Sequence, residues 1–169
     1  MDAAELRALQ APIKERYKQD PSAAVITLKA KGSTDTDGLT CKVETGRAIA
    51  MAGLHPATGG SGLELCSGDM LLEALVACAG VTLKSVATAV DVPLRSGQVI
   101  AEGDLDFRGT LGVDKEAPVG FEEIRVRFEV ETDAPQDKLD LLLKLTERYC
   151  VVYQTIKNGP KILVSMQRM

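Results

Sequence analysis

The segment SGDMLLEALVACAGVTLKSVATAV, residues 67–90, constrains this chain more than any other. After Asp69 its only charges are Glu73 and Lys84, so it is apolar nearly all round. The composition predicts an α-helix from Asp69 to about Val90, capped by Ser67 or Asp69, with the Asp69 carboxylate complementing the helix dipole. A helix without a polar face must be buried on most of its surface. The chain has 169 residues, enough for one domain. Enclosing such a helix in so small a domain points to a partner chain that supplies part of the wrapping. The uncharged stretch Val76–Leu83 inside it is far short of the roughly 20 apolar residues of a membrane span.

The flanking sequence supplies helices and antiparallel strands. Leu6, Leu9, Ile13 and Tyr17 recur at helical steps and predict an N-terminal helix over 3–18, ended by Asp20-Pro21. Ala23–Lys31 alternates as a strand. LTCKVETGRAIAMA reads as a hairpin of strands 39–44 and 47–52 around Thr45-Gly46. The glycine-rich loop 53–68 is too long for a simple connection and is a candidate functional segment. Strands are expected at 98–110 and 121–132, the second with Ile124, Val126, Phe128 and Val130 alternating with Arg125, Arg127, Glu129 and Glu131, one face buried and one wet. A second long helix is expected over 133–157, capped by Asp133 and stopped by Asn158-Gly159-Pro160. KILVSM, 161–166, reads as a closing strand. Strands in antiparallel runs make the fold class α+β, with residues 1–20 a helical extension and 21–169 one domain.

Composition narrows the function. A net charge of −4 with no Lys/Arg cluster, no Trp and 4% aromatic residues argues against a nucleic-acid surface. MDAAELRALQAPIKERYKQD is charged and amphipathic, unlike a signal peptide, so a cytoplasmic location and no membrane association are expected. The four cysteines, Cys41, Cys66, Cys78 and Cys150, include no CxxC pair, and His55 is the one histidine. Neither a disulfide scaffold nor a metal site fits. TGGSG lacks the Lys-Ser/Thr of a phosphate loop.

The chemistry therefore turns on thiols. Cys78 shares a helical stripe with Leu71, Leu75, Thr82 and Val86; Cys150 shares one with Leu139, Leu143, Thr146 and Tyr153. Both point inward, as core cysteines do. Both also fit a reactive pair, which requires a neighbour that favours the thiolate, such as an arginine oriented by a carboxylate. Arg47 and Asp69 are candidates, and spacing alone leaves any other arginine open.

LCSGDMLLEALVACAGVTLKSVA resembles the central-helix motif of the OsmC/Ohr family, the osmotically inducible and organic-hydroperoxide-resistance proteins, and ERYCVVYQTIKNG resembles its second-cysteine helix. The resemblance runs from about Leu39 to Met166 and excludes the N-terminal helix. It implies an intertwined α+β homodimer in which antiparallel sheets enclose two long central helices that carry cysteines. It also implies a thiol peroxidase acting on small organic hydroperoxides, with Cys78 peroxidatic, Cys150 resolving, Arg47 near the catalytic arginine and Asp69 near the glutamate that holds it. Recycling by a dithiol or lipoyl-type reductant is implied, with no bound cofactor. Three positions depart from the motif: Gly68 for proline, Asp69 for glutamate and Val151 for a common proline after the second cysteine. The alternative is a non-catalytic dimer that binds a small apolar ligand in the same cleft. Of the other candidates, Cys41 and Cys66 read as packing residues, with Cys66 also a candidate third thiol, and His55 reads as a loop residue or as part of a pocket mouth.

Overall fold

The central helix organises everything around it. In the computed structural model, which describes residues 3–33, 42–43, 52–63 and 65–168, the chain runs as follows. Helix α1 is Ala3–Gln19, strand β1 is Val25–Ser33, and β2 and β3 are the short strands Lys42–Val43 and Ala52–Gly53. After β4, Leu65–Cys66, come helix α2, Ser67–Ala89, and strand β5, Ser96–Asp106. The helical turn α3, Phe107–Thr110, leads to β6, Phe121–Glu131, and then to α4, Gln136–Tyr149, and α5, Val151–Asn158. The main sheet has the order β2-β1-β5-β6 and is antiparallel throughout. β3 and β4 form a separate parallel pair. The α+β expectation holds.

α2 crosses one face of this sheet, packing on β1 and β5 and against α4 and α5. Its length and composition are enough to cross a bilayer, contrary to the sequence expectation, because the two charges are too few to break the apolar window. Leu72, Leu75, Val76 and Ala79 instead meet Val99 and Ala101 of β5 and Cys150 in the largest core cluster. Farther along, Leu83, Val86 and Ala87 meet Val92 and Leu142. β5 alternates buried and half-buried residues, as a strand with one covered face must. On the other face Arg125 of β6 pairs with Asp104 at 2.6 Å and Glu123 at 2.9 Å, and Arg127 with Glu129 at 3.0 Å, so these charges are the solvated face read from the alternation.

The N-terminal helix is built into the domain. Tyr17 is fully buried with Ala24, Phe107 and Leu111, and its hydroxyl donates to the carbonyl of Ala57 at 2.7 Å.

Four expectations need correction. The strand expected at 98–110 ends at Asp106, whose side chain accepts from the Arg108 N–H at 2.9 Å and starts the turn α3. Cys66, not Ser67 or Asp69, is the cap residue of α2, and it makes no side-chain cap bond. The helix expected over 133–157 is two helices, because Cys150 is extended at φ −71°, ψ 107°; Asp133 pairs with Arg95 rather than capping. Finally, residues 161–166 form no strand, and Ile162, Leu163, Val164 and Met166 are 77–98% exposed, because none of the described strands pairs with them. Of the hairpin read at 39–52, only β2 and β3 fall within the described residues, and they pair with β1 and β4 instead of each other.

Candidate functional site

α2 and the α4–α5 junction bring Cys78 and Cys150 together. Cys78 faces the junction from the middle of α2, half-buried, with Thr82 one turn on along the same face. Cys150 is 1% exposed and packs into the same cluster. It lies where α4 stops: its N–H donates to the Thr146 carbonyl at 2.9 Å, and its own carbonyl accepts from Gln154 N–H at 2.9 Å to open α5. A break of this kind leaves the last carbonyls of α4 without helical partners. The Gln154 side chain covers one of them, donating to the Glu147 carbonyl at 2.7 Å.

The two thiols interact and are driven in opposite directions. For Cys78, burial raises the pKa. The main-chain N–H of Val152, the Cys150 thiol, the Val151 N–H and the Thr82 hydroxyl oppose burial, and together they leave Cys78 below an ordinary thiol. For Cys150, burial is again the largest influence and raises the pKa. The Tyr153 and Val152 N–H groups oppose it only in part, while the hydrogen bond to Cys78 and its charge raise it further. One thiol is thus poised to ionise while its neighbour stays protonated and donates to it, the asymmetry expected of a nucleophile and a second thiol. Both are free thiols.

The space beside Cys150 is largely apolar, and Cys78 does not line it. A cavity of about 270 Å³ runs between α2, β6 and α4, lined by Leu75, Ala79, Val126, Phe128 and Thr146, with Cys150 at its wall. A second of about 280 Å³ continues along β6, sharing Leu75, Ile124, Val126 and Tyr153 and also lined by the charged Glu122, Glu123 and Lys157.

The remaining predicted residues lie elsewhere. Arg47 and Cys41 fall outside the described residues. Asp69 stands on α2 about 13 Å along the helix axis before Cys78 and about half a turn round from it, too far and on the wrong side to touch the thiol. Burial raises its pKa, and the charge of His55 opposes this in part. His55 stacks on Phe107 with centroids 5.0 Å apart, and its Nδ1 accepts from the Ala57 N–H at 3.0 Å. With Cys66, Leu71 and Phe121 it lines a separate open cleft of about 360 Å³ at the start of α2, so it belongs to a pocket wall, but not to that of the cysteine pair. The sequence reading missed the Val151 and Val152 amides, which no side chain signals. It placed Thr82 on the Cys78 stripe without giving it a role.

Comparison with known proteins agrees with the α+β fold. The profile of the OsmC-like protein family matches residues 59–165. Among solved structures, an OsmC-like hydroperoxide resistance protein from Jannaschia sp. CCS1 superposes with a TM-score of 0.63 at 11% identity, over 86% of this chain and 95% of that one. At that identity the superposition speaks for the fold. No curated protein sequence matches the chain.

Proposed function

The chain belongs to the OsmC-like family, and on that premise we propose that it is a thiol-dependent peroxidase for small organic hydroperoxides. The observation that carries this reading is the Cys78–Cys150 pair, two free thiols in contact with opposite acidities. The Cys78 thiolate attacks the distal oxygen of ROOH. The O–O bond breaks, the alkoxide leaves as ROH with a proton, and the sulfur becomes a sulfenic acid. The Cys150 sulfur, on losing its proton, attacks that sulfenic sulfur. An S–S bond forms and the hydroxide departs as water. An external dithiol of the lipoyl type then reduces the disulfide by exchange, becoming a disulfide itself. The largely apolar cavity beside Cys150 favours an alkyl or lipid hydroperoxide over hydrogen peroxide. Arg47 is proposed to stabilise the thiolate. Asp69 enters only through another group, since it faces away from Cys78.

The protein is proposed to act as a homodimer in the cytoplasm. Ile162, Leu163, Val164 and Met166 are a strand-like apolar run exposed to solvent, and β6 ends the sheet among the described strands. An unpaired sheet edge and an exposed apolar segment are complementary surfaces between two copies. A second reading, a non-catalytic dimer binding an apolar ligand in the β6 cavities, is favoured by one observation: the carboxylate expected to organise the site is turned away from the thiol.

The deciding experiment is mass spectrometry of the reduced protein after one equivalent of cumene hydroperoxide. Rapid loss of ~2 Da, mapped to a Cys78–Cys150 disulfide and reversed by dihydrolipoamide, is expected. Slow oxidation spread over all the cysteines would refute the peroxidase and leave the ligand-binding reading.

A further inference from the structure

We propose that the open cleft at the start of α2 is a second binding site, which takes a small, neutral, apolar molecule through one carbonyl oxygen held by the Nε2–H of His55. The site stands apart from the peroxidase reading: the cleft shares no lining residue with the cavity beside Cys150.

The fold holds the ring of His55 on two sides. One face stacks on Phe107, with centroids 5.0 Å apart and planes 17° from parallel. Nδ1 accepts from the Ala57 N–H at 3.0 Å, so the neutral ring carries its proton on Nε2. Among the described residues no acceptor takes that proton, and none of them buries a side-chain nitrogen or oxygen without a partner. Nε2 is therefore reached from open space, and the open space that His55 lines is the cleft. The backbone behind the ring is equally fixed. The His55 carbonyl accepts from the Thr58 N–H at 2.8 Å and from the Thr58 hydroxyl at 2.9 Å. α1 clamps the same turn through Tyr17 and Gln10. Gly60 comes so close to Leu54 that a Cβ there would lie 1.7 Å from the Leu54 carbonyl oxygen. A donor set in place before any ligand arrives costs binding little in ordering. Capping the turn needs one acceptor only, which a serine or asparagine would supply; the imidazole adds a donor on its far edge.

The cleft has the size and the lining of a small-molecule site. Its volume of about 360 Å³ falls within the roughly 300–1,000 Å³ usual for ligand pockets. Leu54, Leu71, Leu105, Phe107, Val119 and Phe121 make its wall mainly apolar. Leu54, Leu71 and Val119 are 40–73% exposed, so three large apolar side chains stand open to solvent around one cleft, where a ligand would cover them. Charge selects the class of ligand. Asp69, next in the chain to Gly68 of the wall, interacts with His55 through space. A carboxylate brought to Nε2 would meet a like charge there, whereas a ketone, ester or amide carbonyl would not. His55 and α1 precede residue 59, where the match to the OsmC-like family begins, so the donor and its clamp come from a part of the chain outside that match.

The chain has one histidine, so NMR of the full protein labelled in histidine alone reports on this ring and no other. At mildly alkaline pH, long-range proton–nitrogen spectra should place the ring proton on Nε2; a proton on Nδ1 overturns the proposal. The binding probes are acetophenone and isopropylbenzene, alike in shape except for the carbonyl oxygen. Acetophenone should shift the His55 and Phe107 signals saturably and bind about 3- to 10-fold tighter than isopropylbenzene, the worth of one neutral hydrogen bond. In His55→Phe, which keeps an aromatic ring on Phe107, the two probes should bind alike. Equal affinities in the wild type, a preference that survives His55→Phe, or shifts at Phe128 of the β6 cavity instead of Phe107 each overturn the site. If His55→Phe does not fold, Val119→Asp decides in its place. Val119 is 73% exposed, so the fold tolerates the change, and both probes should lose affinity. Unchanged binding in that variant overturns the site equally. None of these readouts uses a peroxide or a thiol, so a protein that binds acetophenone at His55 yet forms no disulfide with cumene hydroperoxide keeps this site and loses the peroxidase, and the converse pattern does the reverse.

Discussion

Replacing Tyr17 tests whether α1 is part of the domain or an appendage. Its side chain is 0% exposed, enclosed by Ala24, Phe107 and Leu111, with Ile13, Ala57 and Val113 around them. Its hydroxyl reaches across to the Ala57 carbonyl, and Gln10 donates to the neighbouring Thr58 carbonyl at 3.3 Å, so α1 clamps the loop that carries His55. Tyr17→Ala removes an aromatic ring from a fully enclosed position, and losses of that kind cost about 3–5 kcal/mol in lost transfer energy and residual cavity. Tyr17→Phe keeps the ring and deletes one hydrogen bond to a half-buried carbonyl, worth about 1 kcal/mol. In a chain of this size each kcal/mol moves the melting midpoint by roughly 2–4 °C. Urea and thermal unfolding at fixed protein concentration should therefore separate the two variants by a factor of three or more. If α1 only decorates the surface, both will fall within about 0.5 kcal/mol of wild type, as exposed substitutions do. That result would refute the placement of Tyr17 in the core.

Two further outcomes follow from the charges and the tail. The Arg108 guanidinium and, secondarily, the Arg108 N–H hold the Asp106 carboxyl below its usual range despite burial. A depressed folded pKa contributes stability that is present above the unfolded value, about 3.9, and is lost as pH falls through the folded one. Asp106→Asn keeps the turn-capping oxygen and removes the charge, so its urea midpoint should lie below wild type at pH 7, and the gap should narrow on acidification; a constant gap would contradict the assignment. At the other end of the chain, Leu163→Asp with Val164→Asp should convert the proposed dimer to a monomer of 18.0 kDa by sedimentation equilibrium. A wild type already at that mass would remove the dimer.

Much of the fold was legible because its signals are periodic. The apolar α2, the alternating β5 and β6 and the amphipathic α1 all carry their burial pattern in the sequence, and each appears within a few residues of its expected limits. The misreadings share one cause. Thr132, Asp133, Pro135 and Gln136 look like a helix start, yet Asp133 is taken by Arg95 and the Thr132 hydroxyl accepts from Ala134 N–H at 3.1 Å, a tertiary choice that local chemistry does not encode. The break at Cys150 is hidden for a related reason. Many family members mark it with proline at the next position, whereas here Val151 continues the helical period and removes the only local sign.

That hidden break also explains why the site was half legible. The stripes through Cys78 and Cys150 showed that both thiols face inward, and the structure places them in contact. Their difference in acidity could not be read the same way, because it comes from burial, from the contact of the two thiols and from main-chain amides, all of which depend on where one helix stops and another starts. Asp69 shows the opposite error. Sequence nearness to the cysteine motif suggested a shared site, but the helix that carries both residues separates them, sending Cys78 toward α5 and Asp69 toward His55. A single helix thus serves two pockets, with the thiol pair at one and a carboxylate beside His55 at the other.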